Sequence, residues 1–475
     1  MSIRLVVLYM MVAGVSLYAW KDWFVSLCGL IVVMAVIHHE DMPTNMLGIQ
    51  GFNVWNIMFL MIFLAWVAHR RREGLRWDAP RHMNMLLLMY LGVIVAGFLR
   101  AVLDRSHIEW YPLKNLISEE LINTVKWVLP AILLFDGCRT RKRVVLAIVS
   151  LLAMYLLLSV QVIKRMPWES ALGGAGDRIQ YIRLKTCMGI GYSAPNLSTI
   201  LAGASWGMLA TLPLVTKKSH KVPILAASGA IAFAQALTGG RAGYAAWGAT
   251  GLTLCILKWR KYLLLGPIMA ILLPILLPGT VDRLLFGFGR TDVTGQGAKD
   301  EYEITSGRNL IWPYVIDTIG ESPIVGYGRL AMNRTGLSDK MMSEMGESFP
   351  HPHNMYLQTL LDNGILGSIP IFLFWGFMLF YAGRLFRSDN RLYSTVGGLA
   401  LALMMAQLFA GLGSQYFYPT ESTLTVWAAM FLALRVHVEE TAARGIDRFG
   451  TVSDTQPVVQ RRTVDTISAY GAVCQ

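Results

Sequence analysis

Apolar runs recur along almost the whole chain, near residues 5–20, 23–38, 53–68, 84–103, 120–136, 144–163, 191–215, 222–239, 242–257, 262–279, 363–383, 392–411 and 422–435. A helix rises 1.5 Å per residue, so about 20 residues cross the roughly 30 Å hydrocarbon core of a bilayer. Only a helix or a closed barrel satisfies its own backbone there. Composition agrees: 54% of residues are hydrophobic and 15% charged, where soluble proteins carry about 25% charged residues. A soluble enzyme, a disulfide scaffold and a disordered chain are therefore excluded. The pattern predicts an all-α, polytopic transmembrane helical bundle of about 12 spans. The first two runs are short and read as tilted spans or a shallow hairpin, so 12 or 13 crossings both fit.

The formal charge is 42 − 30 = +12, yet no basic face with aromatic or helical readers suggests nucleic acid. The cations come in short clusters between apolar runs: Arg70 to Arg81, Arg139 to Arg143, Lys217 to Lys221, Lys258 to Lys261, and Arg384 to Arg391. This is the positive-inside pattern of cytoplasmic loops. It leaves 39–52, 104–119, 164–190 and 280–362 on the outer side. The five cysteines are scattered without zinc or redox spacing, and no cleavage region follows the first apolar run. From Val436 the chain turns polar, and 436–475 reads as a cytoplasmic, disordered tail behind a transmembrane domain of residues 1–435.

The stretch 280–362 has no adequate span, and loops this long are usually functional. It predicts a short helix over Asn309 to Ile319, with Ile311, Trp312, Val315, Ile316 and Ile319 on a face that packs on the bundle or lies at the membrane interface. Ser306 and Asn309 are its expected caps. Three groups there and nearby suit chemistry. His351-Pro352-His353-Asn354 precedes a span; from Asn354, nine residues lead to Gly364, and Gly367 follows after two more. Arg241 lies in Leu237-Thr238-Gly239-Gly240-Arg241-Ala242-Gly243, an outer turn whose glycines let a ligand approach. Arg308 stands just ahead of the loop helix. The outer loop 164–190, with Lys164, Arg165, Arg178, Arg183 and Lys185, suits anionic glycan or lipid phosphate, or ordinary head-group contact.

Arg241 after a Gly-rich turn, Arg308 before an aromatic-containing helix, Pro-Ile-Val-Gly-Tyr-Gly at 323–328, and His-Asn, nine residues, Gly, two residues, Gly together resemble the O-antigen ligase and O-antigen polymerase superfamily. The likeness covers most of residues 50–435. It implies a GT-C-like bundle with a large periplasmic catalytic loop, in a bacterial inner (cytoplasmic) membrane. It also implies transfer of a glycan from undecaprenyl diphosphate to an acceptor hydroxyl, with inversion and with no metal, cofactor or nucleotide-sugar site. The acceptor would be lipid A–core in a ligase and another lipid-linked repeat in a polymerase of O-antigen or exopolysaccharide. Transfer to protein is a further variant.

The residue types fit that chemistry. A diphosphate leaving group gains negative charge, and permanently charged, bidentate guanidinium groups hold it without a metal. Arg241 and Arg308 are the candidates, with Arg290 as a third. The acceptor hydroxyl needs a base, for which His353 is placed, His351 orienting it and Asn354 beside it on the substrate side. Competing features are Asp300, Glu301 and Glu303, or His38 to Asp41, as cation sites. The competing function is a lipid-linked glycan flippase, for which Arg100 and Lys126 would be the intramembrane charges.

Overall fold

The computed structural model describes residues 3–37, 39, 42–43, 51–167, 177–278, 281, 284–285, 305, 307–414 and 416–449. Among them there are helices and turns and no strand. The elements follow the apolar runs closely: α1 (Ile3–Tyr18), α2 (Trp23–Val33), α3 (Val54–Arg70), α4 (Arg81–Leu103), α5 (Leu129–Gly137), α6 (Arg141–Arg165), α7 (Asp177–Ile190), α8 (Ala194–Leu209), α9 (Lys218–Thr238), α10 (Arg241–Leu257) and α11 (Leu265–Leu276). The loop helices α12 (Arg308–Glu321) and α13 (Leu337–Met345) follow, then α14 (Met355–Arg387), α15 (Arg391–Ala410) and α16 (Leu424–Phe449). Among the described residues, six helices, at 81–103, 141–165, 194–214, 218–238, 355–387 and 391–410, are long and apolar enough to cross a membrane.

The centre of the bundle is the α8–α15 pair. Each has 72% of its apolar window buried, against 39% for α4 and α9, whose exposed leucines and methionines suit lipid. The pair meets through small residues: a methyl group on Gly203 would lie 2.9 Å from Leu403 Cα. Close backbone approach of this kind drives helix association where lipid offers no hydrophobic gain.

The basic clusters gather at one end. Fully buried Asp136 accepts from Arg70 Nε at 2.8 Å, from Trp66 Nε1 at 3.0 Å and from Arg139 Nη2 at 3.3 Å. Asp78 bridges Arg139 and Arg435, each at 2.7 Å. Asp22 lies 3.9 Å from Arg143 at this end, whereas Gln161, near the other end of α6, donates to Ala35 O. So α2 runs from the basic end to the opposite one.

α4 and α14 run antiparallel. His82 meets Tyr381 at the basic end, while Arg100 Nη1 and Nη2 donate to Val325 O and Gly326 O at the other. There α14 starts at Met355, eight residues ahead of the apolar run, because Asn354 caps it: Oδ1 accepts from Tyr356 N at 2.9 Å and Leu357 N at 3.2 Å. Gly364, at φ +59° and ψ −168°, then breaks the helix. The backbone groups freed by the break pair with the loop. Tyr327 N donates to Leu361 O, Gly328 N to Asp362 O, Ile365 N to Pro323 O and Leu366 N to Ile324 O. The crossing admits no side chain, since a Cβ on Gly326 would sit 2.5 Å from Gly364 N.

The expected loop helix is present and carries a small core of its own: Ile311, Val315, Ala331, Met332, Leu337, Met341 and Leu361. Ile316 lies off that face, 54% exposed, and the N-cap is Gly307 at φ +77°, with no side-chain cap from Asn309. Ser306 lies outside the described residues. The run 120–136 is not one smooth helix. A π-helical turn at Leu116–Ile122 and a 3-10 turn at Lys126–Val128 precede α5, where Pro130 removes a donor. α16 continues through Val436 to Phe449, past the expected start of the polar tail. Replacing Asp136 with alanine would take from Arg70 its carboxylate partner, while Arg139 keeps Asp78. A loss of about 3 kcal/mol is expected, read as a lower melting temperature of the detergent-purified protein.

Candidate functional site

The end of the bundle opposite the basic clusters brings Arg241, Arg308, His351 and His353 together. Arg241 opens α10. Gly239, at φ +67°, reverses the chain after α9, and Gly243 lets α10 touch α8: a Cβ there would lie 1.9 Å from Ser198 Oγ. The Gly-Gly-Arg-Ala-Gly spacing thus fixes the height of Arg241 against the bundle core.

Arg308 opens α12. Its Nε and Nη2 donate to Gly413 O at 3.1 and 2.5 Å, and its Nη1 to Thr305 O at 2.7 Å. Gly413 also faces α10, its Cβ position 3.4 Å from Ala242 Cβ. Burial, and then the charge of Arg241, lower the proton affinity of Arg308, so the two guanidinium groups feel each other. Arg183, on α7, donates from Nη1 to Gly239 O at 2.6 Å and lies within electrostatic reach of Arg241. Its buried Nε has no hydrogen-bond partner. Among the described residues no carboxylate closes on Arg183 or Arg308. The hydrogen bonds drawn here use neutral carbonyls, which orient the guanidinium groups without cancelling their charge.

The histidine turn is held from two sides. Trp312 Nε1 of α12 donates to Pro352 O at 3.0 Å, and Met355 N donates to Gly411 O at 2.8 Å. His353 has φ +51°, an uncommon backbone for a residue with a Cβ. The rings of His351 and His353 are 4.2 Å apart, and Tyr416 lies against His351 at 5.6 Å. His351 Nδ1 is buried without a partner. Burial lowers the His351 pKa. Burial, His351 and Arg308 together hold His353 down to about 4. Both imidazoles are therefore neutral at pH 7, next to an excess of positive charge. Such an arrangement suits an anion, with a proton acceptor beside it.

Of the residues singled out in the sequence, Arg241, Arg308, His351 and His353 converge, and Arg183 joins them from the loop 164–190. Asn354 has its side-chain oxygen engaged in capping α14. Arg290 lies outside the described residues, as do Asp300, Glu301, Glu303, His38, Glu40 and Asp41. Gly413 and Tyr416 hold the site without having been singled out in the sequence, and Trp312, expected only on the packing face of the loop helix, holds Pro352. They come from separate helices and turns, and only an alternating Tyr416-Phe417-Tyr418 after α15 hinted at a packed aromatic segment. Gly243→Ala is expected to push α10 off α8 and cost about 1–3 kcal/mol. Gly248→Ala on the same helix, with nothing within 4 Å of the new methyl, should be neutral in the same melting experiment.

No curated protein matches the chain significantly. Residues 226–372 match the family model described as O-antigen ligase. That stretch runs from within α9 to the middle of α14 and includes Arg241, Arg308, His351 and His353. With its long apolar helices, the chain has the make-up of an integral membrane protein, and the match over residues 226–372 supports a likeness to the O-antigen ligase and polymerase superfamily.

Proposed function

We propose that the chain moves a glycan from undecaprenyl diphosphate to an acceptor hydroxyl at the periplasmic face of the bacterial cytoplasmic membrane, as an O-antigen ligase does. The observation that carries this reading is the Arg308 guanidinium, held by backbone carbonyls within electrostatic reach of Arg241, beside the histidine pair His351 and His353. The basic clusters gather at the opposite end, which by the positive-inside rule is cytoplasmic. The direction of α2 favours the 13-span layout, with the N-terminus on the side of the site. Arg100 is tied to loop carbonyls, and Lys126 lies against the rings of Trp55 and Trp127 at 5.2 and 4.6 Å. These partners favour the enzyme over a flippase.

In the proposed step the acceptor O–H gives its proton to the His353 imidazole. The oxygen forms a bond to the anomeric carbon, and the carbon–oxygen bond to the diphosphate breaks. The bonding electron pair leaves with the diphosphate, whose added charge falls on Arg241 and Arg308. Preorganised charge of this kind stabilises the transition state by several kcal/mol. A single displacement, with no covalent intermediate, inverts the anomeric centre. Lipid A–core is the acceptor proposed first. Single repeats in a deletion strain would indicate a polymerase instead, and long unattached glycan a ligase.

Arg241→Ala and Arg308→Ala are each expected to lower transfer by at least about 100-fold in purified protein, with expression unchanged. His353→Ala should abolish it. Full activity of the His351→Ala, His353→Ala double variant would remove the assigned base. The pH dependence follows from the same cluster. A base is lost as pH falls through its pKa, so kcat/KM, which reports the free enzyme, should hold until pH approaches about 4. A bound diphosphate offsets the charge of Arg308, so the acid limb of kcat should lie at higher pH. Coincident limbs in the two profiles would rule out this coupling.

A further inference from the structure

Next to the histidine pair lies a buried polar network that the proposed step does not use. The Arg329 guanidinium carbon lies over the Tyr418 ring, 3.8 Å from its centroid, and the group pairs with Glu120. Both partners of this ion pair are only 13% exposed. The Tyr418 hydroxyl donates to Asp362 Oδ2 at 3.0 Å and accepts from Asn363 Nδ2 at 2.7 Å. Gln358 Nε2 donates to Asp362 Oδ1 at 2.8 Å. Four remote parts of the chain meet here, Tyr418 being one of them. Glu120 comes from the π-helical turn, whose extra residue re-aims side chains. Arg329 follows the loop threaded across the Gly364 break, and its own N–H donates to Gly97 O at 3.0 Å. Asp362 and Asn363 are the last residues before that break.

Burying these charges is costly, and apolar side chains would fill the same space at less cost. What the network secures is the placement of Tyr418. Two residues earlier in the same short non-helical segment, the Tyr416 ring stacks on His351 with an interplanar angle of 28°. Gln407 Nε2 holds the Tyr416 carbonyl at 3.2 Å, and the Tyr90 hydroxyl donates to Phe417 O between the two tyrosines.

We propose that Glu120, Arg329, Asp362 and Tyr418 are positioning residues that set the His351–His353 pair through Tyr416. They touch neither donor nor acceptor. They fix the segment whose ring backs His351, and with it the angle at which His353 meets the acceptor hydroxyl. Chemistry is sensitive to such placement while ground-state binding is not, so the network acts on kcat and leaves KM for the donor unchanged.

This inference rests on the glycosyl-transfer reading, and a double-mutant cycle tests it separately. Wild type, Tyr418→Phe, Tyr416→Ala and the double variant are purified and assayed for transfer from undecaprenyl-diphosphate-linked glycan. Melting temperature and elution volume are followed throughout. Tyr418→Phe removes one oxygen atom. It should lower kcat about tenfold with KM within about twofold, and the double variant should be no slower than Tyr416→Ala alone. Losses that multiply, an unchanged kcat, or a change confined to KM would overturn the proposal. Should Tyr418→Phe fail to fold, Glu120→Gln, which keeps a hydrogen-bonding end at the edge of the network, carries the same cycle. A wild type that transfers nothing would instead refute the proposed function.

Discussion

The arrangement of the end that holds the histidine pair depends on one backbone exchange at Gly364. A broken helix in a membrane protein leaves carbonyls and amides that lipid cannot satisfy. Here the loop at 323–328 supplies the missing partners, two donors to Leu361 O and Asp362 O and two acceptors for Ile365 N and Leu366 N. The exchange makes the loop part of α14. It carries Arg329 onto Tyr418, holds α12 above the bundle, and keeps the first turns of α14 beside the turn that follows α15. Without the break, α14 would have no use for the loop, and the loop would have no fixed height.

The two ends of the molecule treat cations differently, and the difference is chemical. At one end Arg70, Arg139, Arg143 and Arg435 close on Asp136, Asp78 and Glu73. Those pairs tie helices together and spend the charge. At the other end Arg329 is likewise spent on Glu120, while Arg183 and Arg308 are held by backbone carbonyls. A carbonyl fixes a guanidinium without neutralising it. The same end therefore contains both a closed ion pair and guanidinium groups held by backbone carbonyls. The proposed diphosphate site is built on the latter.

Much of this was legible in the residues. The 3.6-residue helical framework follows from apolar runs that leave no alternative in lipid, and most runs became helices within a few residues of their expected ends. Arg241, Arg308 and His353 were visible because each stands beside glycine, proline or histidine at a helix start. Less legible was what interrupts a helix. Lys126, Pro130 and Gly364 sit in stretches whose hydropathy is that of ordinary spans, and hydropathy does not register a π turn or a positive φ. Ile316 and Asn309 were misassigned because a short helix offers too few turns for its face and its cap to be read without its neighbours.

The sequence by itself determined that this chain spans a membrane as a helical bundle, which end carries the basic loops, and that a cation-rich loop with a histidine pair lies at the other. These follow from local hydropathy and charge, which act residue by residue. Only the tertiary structure decided which cations are paired and which stay open, that Arg183 joins the cluster, and that Tyr416 and a buried network back the histidines. Those outcomes depend on contacts between segments as far apart as Glu120, Arg329 and Tyr418. Distance in space, unlike hydropathy, is written nowhere in the order of residues.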